Sequence, residues 1–475
     1  MMFTRSYVRV IFLVVLAVLV LSMPNLFRES SNYIGEDPYF YIRIAELIES
    51  KDFSYDELSY SGRDFTYSLA QPLIFSFFRN FLPEGFVINV IPIILGLLSL
   101  LLFYLILKDF YVEPNVIYLS LMVLAISPPF IYIFSSYNKF TAITLVLLLT
   151  FYLFIKNNNL NLISYLLFLI IPFFGYQYSL LGLSIILIYC IKRHKMKKFF
   201  LTFFLSLTSL SLIYSPFLYK YGLSDSSSFD KTVKYGFLFS DLGSSFGISI
   251  FIIFLTFFGL SYLWKSKYRY LPIYSLLVLF IIIIIFNPTF IVYFNFILSL
   301  LAAFGFIYLI RSKWESETIR KLTMWILVIG LIFSTVTFIG EKSLEQPSKN
   351  LYDALDFLSV NTRLDEVVFS HYNYGVFINS ITNKKNVMDS RFSFAPNLKE
   401  RYQDSQDLFY TRDFNVTFSI SNKYDIKYIL ITREMKEGLV WNEKDEGLLY
   451  LLNTFTDNYQ RIYENEDVEI WRYRR

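Results

Sequence analysis

The chain has one cysteine, Cys190, and two histidines, His194 and His371, in 475 residues. A disulfide framework needs cysteine pairs and a zinc site needs clustered Cys and His, so both are excluded. Charge is scarce as well, with Asp, Glu, Lys and Arg at 17% where a soluble chain carries about 25%. The net charge of +4 marks no nucleic-acid surface, because the lysines and arginines fall in short clusters between apolar runs. Those runs dominate: 55% of residues are hydrophobic, 20% are aromatic, and the mean hydropathy is +0.47. Such a composition specifies a polytopic α-helical membrane protein.

The first run, Tyr7 to Met23, is flanked by Arg5 and Arg9 and exits through Ser22-Met23-Pro24-Asn25-Leu26. With no small-residue cleavage site it reads as a membrane helix. Further apolar spans recur near 87–107, 115–134, 140–155, 160–174, 176–191, 198–219, 246–264, 271–286, 288–310 and 321–340, eleven with the first. Several are shorter than the roughly 20 residues of a straight span. A cytoplasmic N-terminus puts Lys108, Lys156, the run from Lys192 to Lys198, then Lys265, Lys267 and Arg269, and finally Arg311, Lys313, Arg320 and Lys321 in successive cytoplasmic turns. This is the positive-inside pattern. By the same parity the long loop 24–86, the turn 135–139, the loop 220–245 and the tail lie outside. The expected location is the plasma membrane, with a transmembrane domain over 1–340 and an extracytoplasmic domain over 341–475.

The tail is predicted to be a mixed α/β domain. Leu351, Ala354, Leu355 and Leu358 have helical spacing, and Val367-Val368-Phe369 and Tyr428-Ile429-Leu430-Ile431 read as buried strands. Leu448 to Phe455 reads as a helix, and two strands flank Glu464-Asn465-Glu466-Asp467 as a hairpin.

The most unusual stretch opens the first outer loop: Gly35-Glu36-Asp37-Pro38-Tyr39-Phe40-Tyr41-Ile42-Arg43. Pro38 suits the first helical position and Asp37 the N-cap before it, where the helix dipole keeps a carboxylate ionised. That suits a general base or a metal ligand, and equally a plain cap. Arg43 is the nearest cation for a phosphate, or the partner of Glu36 or Glu46.

The order of these features resembles the catalytic subunit of oligosaccharyltransferase, in its archaeal and bacterial single-subunit forms, of the GT-C class of glycosyltransferases. The resemblance rests on Asp37-Pro38-Tyr39 with Arg43, on Leu300-Leu301-Ala302-Ala303-Phe304-Gly305, on Lys423 to Leu430, and on Ile462 to Ile470. It implies a GT-C-like bundle of 11–13 spans and a polyprenyl- or dolichyl-phosphate-linked sugar donor taken from the bilayer. A glycan or protein acceptor follows from it too.

The family's other motifs are substituted. Its second acidic motif falls on Ser136-Tyr137-Asn138-Lys139-Phe140, and its loop glutamate falls on Tyr235 of Thr232-Val233-Lys234-Tyr235. Its phosphate-binding arginine falls on Thr289, and the segment that reads the acceptor sequon falls on His371-Tyr372-Asn373-Tyr374-Gly375. A divalent cation wants several anionic oxygens, so the family Mn or Mg site is expected to be lost and no cofactor is expected. The chemistry then expected is metal-free transfer of a sugar to a hydroxyl, with Asp37 as base, Glu36 as a second acid, and Tyr39, Tyr41 and Arg43 at the sugar phosphate. Residues His371, Tyr372, Asn373, Tyr374 and Gly375 are the candidate acceptor side, although His371 taken alone reads as an exposed polar residue on a strand-to-loop turn rather than as an acid–base group. The alternative is a non-catalytic descendant acting as a binding or assembly partner in surface glycan synthesis. Asn415-Val416-Thr417 is the tail's own sequon.

Overall fold

In the computed structural model, residues 2–50, 54–156, 161–222, 238–242, 246–443 and 445–474 are described. The chain is a helical multi-pass membrane protein with a mixed α/β domain after the last apolar helix. The membrane part comprises α1 (Met2–Leu26) and, after α2 (Glu36–Glu49), α3 (Ala70–Arg79) and α4 (Glu84–Asn89) of the first loop, α5 (Ile91–Asp109), α6 (Pro114–Ala125), α7 (Pro128–Phe134), α8 (Thr141–Ile155) and α9 (Asn161–Ile170). It continues with α10 (Tyr176–Arg193), α11 (Met196–Tyr221), α12 (Ile250–Trp264), α13 (Leu271–Phe286), α14 (Ile291–Arg311) and α15 (Glu317–Ser343). Among the described residues, five helices are long and apolar enough to cross a membrane. The pair α6 and α7 meets the same length and composition only when taken together and is bent by 65°, the shape of a broken span or a re-entrant loop. The four shorter apolar helices, Thr141–Ile155, Asn161–Phe174, Ile250–Trp264 and Leu271–Phe286, coincide with four of the five spans after the first run that the sequence shows to be under 20 residues.

α14 is buried along most of its length and packs closely on α12. A Cβ on Gly305 would lie 1.9 Å from the Leu255 carbonyl oxygen, and one on Gly259 would lie 2.0 Å from that of Leu301. Small residues that let two backbones touch are the usual glue between membrane helices, where apolar burial drives nothing. The Leu300 to Gly305 segment therefore has a packing explanation.

The first outer loop is folded. After α2, β1 (Tyr55–Asp56) pairs antiparallel with β2 (Arg63–Asp64). α3 turns Ala70, Gln71, Pro72, Phe75 and Ser76 inward and leaves Leu73 and Phe77 exposed, as is Phe81 just after it, the pattern of a helix lying in the membrane interface.

α15 runs to Ser343, a few residues past the expected boundary at 340. The tail then comprises α16 (Lys349–Asn361), β3 (Val367–Phe369), α17 (Tyr372–Thr382), β4 (Lys385–Asn386), α18 (Leu398–Tyr410), α19 (Phe414–Lys423), β5 (Ile426–Thr432), α20 (Leu448–Thr454), β6 (Tyr459–Glu464) and β7 (Val468–Tyr473). The five-stranded sheet has the order β4-β3-β5-β7-β6, parallel across the first three strands and antiparallel across the rest. β5, buried almost throughout, is the apolar centre strand expected of a sheet covered on both faces. The sequon lies on α19, where Asn415 is exposed while Thr417 is buried and its hydroxyl donates to the Asp413 carbonyl at 3.2 Å.

Loop and tail interlock. Ser59 Oγ donates to Asp389 at 2.6 Å, the Tyr60 N–H donates to Asn386 Oδ1 at 2.8 Å, and Tyr60 and Tyr39 enter the tail's own hydrophobic core. The Arg28 guanidinium donates to the carbonyls of Tyr33, Ser343, Glu345 and Pro347 at 2.7–3.2 Å. One side chain thus ties the loop to the junction between α15 and α16, which fixes where α2 begins.

Candidate active site

Gly35, not Asp37, is the N-cap of α2. Its φ of +79° lies in the left-handed region, its N–H donates to the Gln346 carbonyl at 2.9 Å, and a Cβ would meet Glu345 Oε2 at 3.1 Å. Only glycine takes this conformation without strain. Glu36 and Asp37 therefore sit inside the first helical turn, still beside the positive end of the dipole.

Asp37 is not a free carboxylate. The residue is buried and both oxygens are bonded: Oδ1 accepts from the Arg391 guanidinium at 2.6 Å and Oδ2 from the Lys139 N–H at 3.1 Å. Burial pushes its pKa up, and Arg391 and Lys139 outweigh that to hold it below the usual carboxylate range. Glu36 is half-buried; it accepts from Ser390 Oγ at 2.7 Å and lies 3.3 Å from the same guanidinium. Arg391 also covers the Phe40 ring at 4.3 Å. Its own pKa is driven down by burial and more strongly up by the two carboxylates. Two acids from the first loop thus share one half-buried cation from the tail.

The turn 135–140 is the other wall. Asn138 donates from Nδ2 to the carbonyls of Tyr132 and Ile133 at 2.8 and 3.1 Å and accepts from the Phe140 N–H at 2.9 Å, so its amide shapes the turn. Lys139 is exposed. Close by, Lys342 at the end of α15 stands 4.5 Å over the Tyr132 ring and pairs with Glu345 at 2.6 Å.

These groups do not make a ligand set for a hard divalent cation. Both Asp37 oxygens are taken by N–H donors, Asn138 is spent on its own turn, and Lys139 adds positive charge. Among the described residues no group of three or more His, Cys, Asp or Glu converges, against the six or more oxygens such ions take. Asp241 is committed elsewhere, to Ser334 and to the Ile250 N–H at the start of α12. The Thr232 to Tyr235 segment, Asp225 and Asp230 lie outside the described residues. Thr289 donates to Asn287 Oδ1 at 2.6 Å, so the arginine-like position is neutral and already bonded.

The other candidates of the first loop support α2 from below. Tyr39 is buried, its hydroxyl accepting from the Tyr33 N–H at 3.1 Å and its ring lying edge-on to Phe377. Tyr41 packs on Tyr137 with ring centroids 5.5 Å apart. Arg43 points away from the carboxylate pair. It grips Asp56 with two bonds of 2.6 and 2.8 Å, so its partner is neither Glu36 nor Glu46.

The 371–375 segment caps and opens α17. Tyr374 donates to Glu434 at 2.6 Å, Gly375 is pressed so closely on the Met388 carbonyl that a Cβ would lie 2.3 Å from it, and Asn373 is exposed. Tyr372 packs on Phe392, beside Arg391, with ring centroids 5.2 Å apart, which brings the segment to the loop that carries the cation. His371 is not an exposed turn residue. It is 6% exposed, stacks on Tyr372 and accepts the Asn373 N–H as the α17 N-cap.

Burial drives the His371 pKa from 6.5 down to about 4. The unfolded chain then binds a proton more tightly than the folded one. Its contribution is whole above pH 6.5 and is lost as pH falls toward 4, amounting to about 2 kcal/mol at pH 5. Thermal unfolding of the purified protein should therefore show a lower midpoint at pH 5 than at pH 7.5. His371→Asn, which keeps the capping acceptor, should shrink that difference. An equal pH response in both proteins would assign the acid sensitivity elsewhere.

Arg391 and Ser390 escape sequence reasoning because nothing in Asp389-Ser390-Arg391-Phe392 marks a site, and only the fold carries them to residues 36 and 37. The Asp389 that precedes them offers a faint signal: it fixes the loop by accepting the Arg391 N–H at 2.8 Å.

No protein-family model matches the sequence, and no curated relative does. Among solved structures, the chain is similar to the apo oligosaccharyltransferase of Archaeoglobus fulgidus, at 14% identity and a TM-score of 0.64 over 90% of this chain and 70% of that one. It is similar to the same organism's AglB in complex with an inhibitory peptide and a dolichol-phosphate, at 14% identity and a TM-score of 0.62 over 91% of this chain and 70% of that one. It is also similar to ArnT from Cupriavidus metallidurans bound to undecaprenyl phosphate, at 12% identity and a TM-score of 0.59 over 98% of both chains. At such identities the likeness is one of fold, and the fold is that of the GT-C glycosyltransferases.

Proposed function

We propose that this protein is a membrane glycosyltransferase that takes a sugar from a polyprenyl-phosphate or -diphosphate carrier at the outer membrane face and passes it to a hydroxyl acceptor, without a divalent cation. The observation that carries the reading is the ionised Asp37 at the start of α2, held by a cation from the tail domain. The dolichol-phosphate and undecaprenyl phosphate bound by the structural neighbours support a polyprenyl lipid. The proposed orientation is the positive-inside one, with the N-terminus cytoplasmic and the tail outside.

In the resting arrangement Asp37 is a weak base, because Arg391 stabilises its charged form. A donor phosphate competes for that guanidinium, with Lys139 and Lys342 as neighbouring cations. Losing the ion pair raises the affinity of Asp37 for a proton, which moves it toward the range where general bases work. The acceptor O–H then gives its proton to Asp37, the new C–O bond forms at the anomeric carbon as the bond to phosphate breaks, and the phosphate leaves on its lipid. Glu36 keeps Arg391 within reach. Tyr39, Tyr41 and Arg43 hold α2 in place, and His371 to Gly375 border the acceptor side. Asn373 offers no charge to a sequon hydroxyl, so N-glycosylation of sequons is not proposed.

One observation favours a second reading. Asp37 and Arg391 saturate each other, as a non-catalytic binding or assembly partner in surface glycan synthesis would permit. Arg391 separates the two when purified protein is given polyprenyl-phosphate sugars and glycan acceptors. For the enzyme, Arg391→Ala raises the donor KM at least tenfold and moves the acid limb of the kcat/KM profile to higher pH, since Asp37 loses its cation. Arg391→Lys restores part of both. Absence of turnover with every donor, in wild type and variants alike, selects the partner.

A further inference from the structure

The bundle contains a chamber that the chemistry above leaves unused. α5, α8, α10, α13 and α14 enclose about 470 Å³ lined almost wholly by apolar side chains. It reaches up to Thr144 and Tyr293 and opens at the opposite end between Lys192, Arg193 and Arg269. Along α10 the lining runs from Leu181 to Arg193, a rise of about 18 Å at 1.5 Å per residue. That is close to one leaflet, half of a hydrocarbon core of about 30 Å, and far short of a polyprenyl chain.

The mouth is charged in one sense. Lys192 donates to the Arg269 carbonyl at 2.6 Å, which draws the two basic turns together. Among the described residues no carboxylate pairs with Lys192, Arg193 or Arg269. Of the acids at this end, Asp109 pairs with Lys156 at 3.1 Å, Glu113 with Arg311 at 2.6 Å and Glu317 with Lys321 at 3.2 Å. Tyr111, Tyr189 and Tyr270 also line the chamber, and tyrosine is a residue enriched at lipid headgroups. Three adjacent cations at the end of a leaflet-deep apolar chamber are complementary to a single anionic head with a hydrocarbon tail.

We infer that this chamber binds one anionic glycerophospholipid of the leaflet facing the basic turns, its phosphate on Lys192, Arg193 and Arg269 and one acyl chain inside. On the orientation proposed above this is the cytoplasmic leaflet, opposite to the transfer site, so the lipid is a structural ligand and not the sugar carrier.

Native mass spectrometry of the full-length protein tests this after exchange into detergent with equal amounts of phosphatidylglycerol and phosphatidylcholine of identical chains. The wild type should retain phosphatidylglycerol at least tenfold over phosphatidylcholine. The variant combining Lys192→Gln, Arg193→Gln and Arg269→Gln should bring the two to parity, while Arg193→Lys with Arg269→Lys keeps the preference. Leu148→Trp, which fills the chamber, should lower retention of both lipids in protein that still elutes as a single species. Equal retention by the wild type, or a phosphatidylglycerol preference untouched by the glutamine variant, would overturn the assignment. Displacement of phosphatidylglycerol by equimolar undecaprenyl phosphate, dependent on the same three residues, would overturn it in favour of the carrier.

Discussion

Asp37→Asn lowers sugar transfer by about 10²–10⁴-fold, the contribution of a positioned general base, and leaves donor binding intact or tighter. The substitution is isosteric, and its oxygen still accepts the Lys139 N–H that now meets Oδ2. What disappears is the negative charge. Arg391 keeps Glu36 at 3.3 Å, so the half-buried cation is not left without a counter-charge and the fold is expected to survive. Freed from Asp37, the guanidinium is more available to a donor phosphate, so KM stays level or falls while kcat collapses. A drop in kcat without a rise in KM is the mark of a group that acts only in the transition state. Steady-state kinetics with a polyprenyl-phosphate sugar check this. Unchanged kcat in the variant would remove Asp37 from the chemistry and leave it as part of an ion-pair latch between loop and tail.

How far the sequence spoke depended on whether a feature was local. Apolar runs and the lysine and arginine turns are local, and the helices fall where those runs do. The parallel centre of the tail was visible in Val367-Val368-Phe369 and in Tyr428 to Ile431, since a strand buried on both faces is an unbroken apolar run. α18 and α19 were missed because their buried residues are few, Ser405, Leu408 and Phe409 in one and Thr417, Ile420 and Ser421 in the other. At the site, the Glu36-Asp37 pair stood out by composition, whereas its counter-charge did not. Arg391 lies 354 residues from Asp37, and no periodicity links the two. The cap was misjudged for a physical reason: Pro38 is tolerated anywhere in the first turn, so it did not single out Asp37, and the left-handed backbone of Gly35 was the stronger start signal.

The guanidinium that the sequence offered for a phosphate gives the other large effect, in stability rather than turnover. Arg43 is 4% exposed and Asp56 fully buried. Asp56 also accepts from the Tyr67 hydroxyl at 2.7 Å and from the N–H groups of Leu58 and Ser59 at 3.2 and 3.3 Å. Burial works against both charges, and each partner outweighs that for the other, so the Asp56 pKa is lowered and that of Arg43 raised. Removing one partner of such a pair strands the other, at about 3–5 kcal/mol. Arg43→Ala should therefore lower the thermal midpoint steeply, and Arg43→Ala with Asp56→Ala should lose less than the two single changes add up to, the coupling expected of touching residues. The depressed Asp56 pKa adds a direction: its share of stability is present above the ordinary carboxylate range and disappears as pH falls through it. At temperatures where the Arg43→Ala variant stays folded, the donor KM should equal that of the wild type. A raised KM with an unchanged midpoint would instead put this guanidinium on the substrate, and α2 would have to turn by about a third of its circumference to deliver it, since residues 37 and 43 lie six positions apart at about 100° per residue.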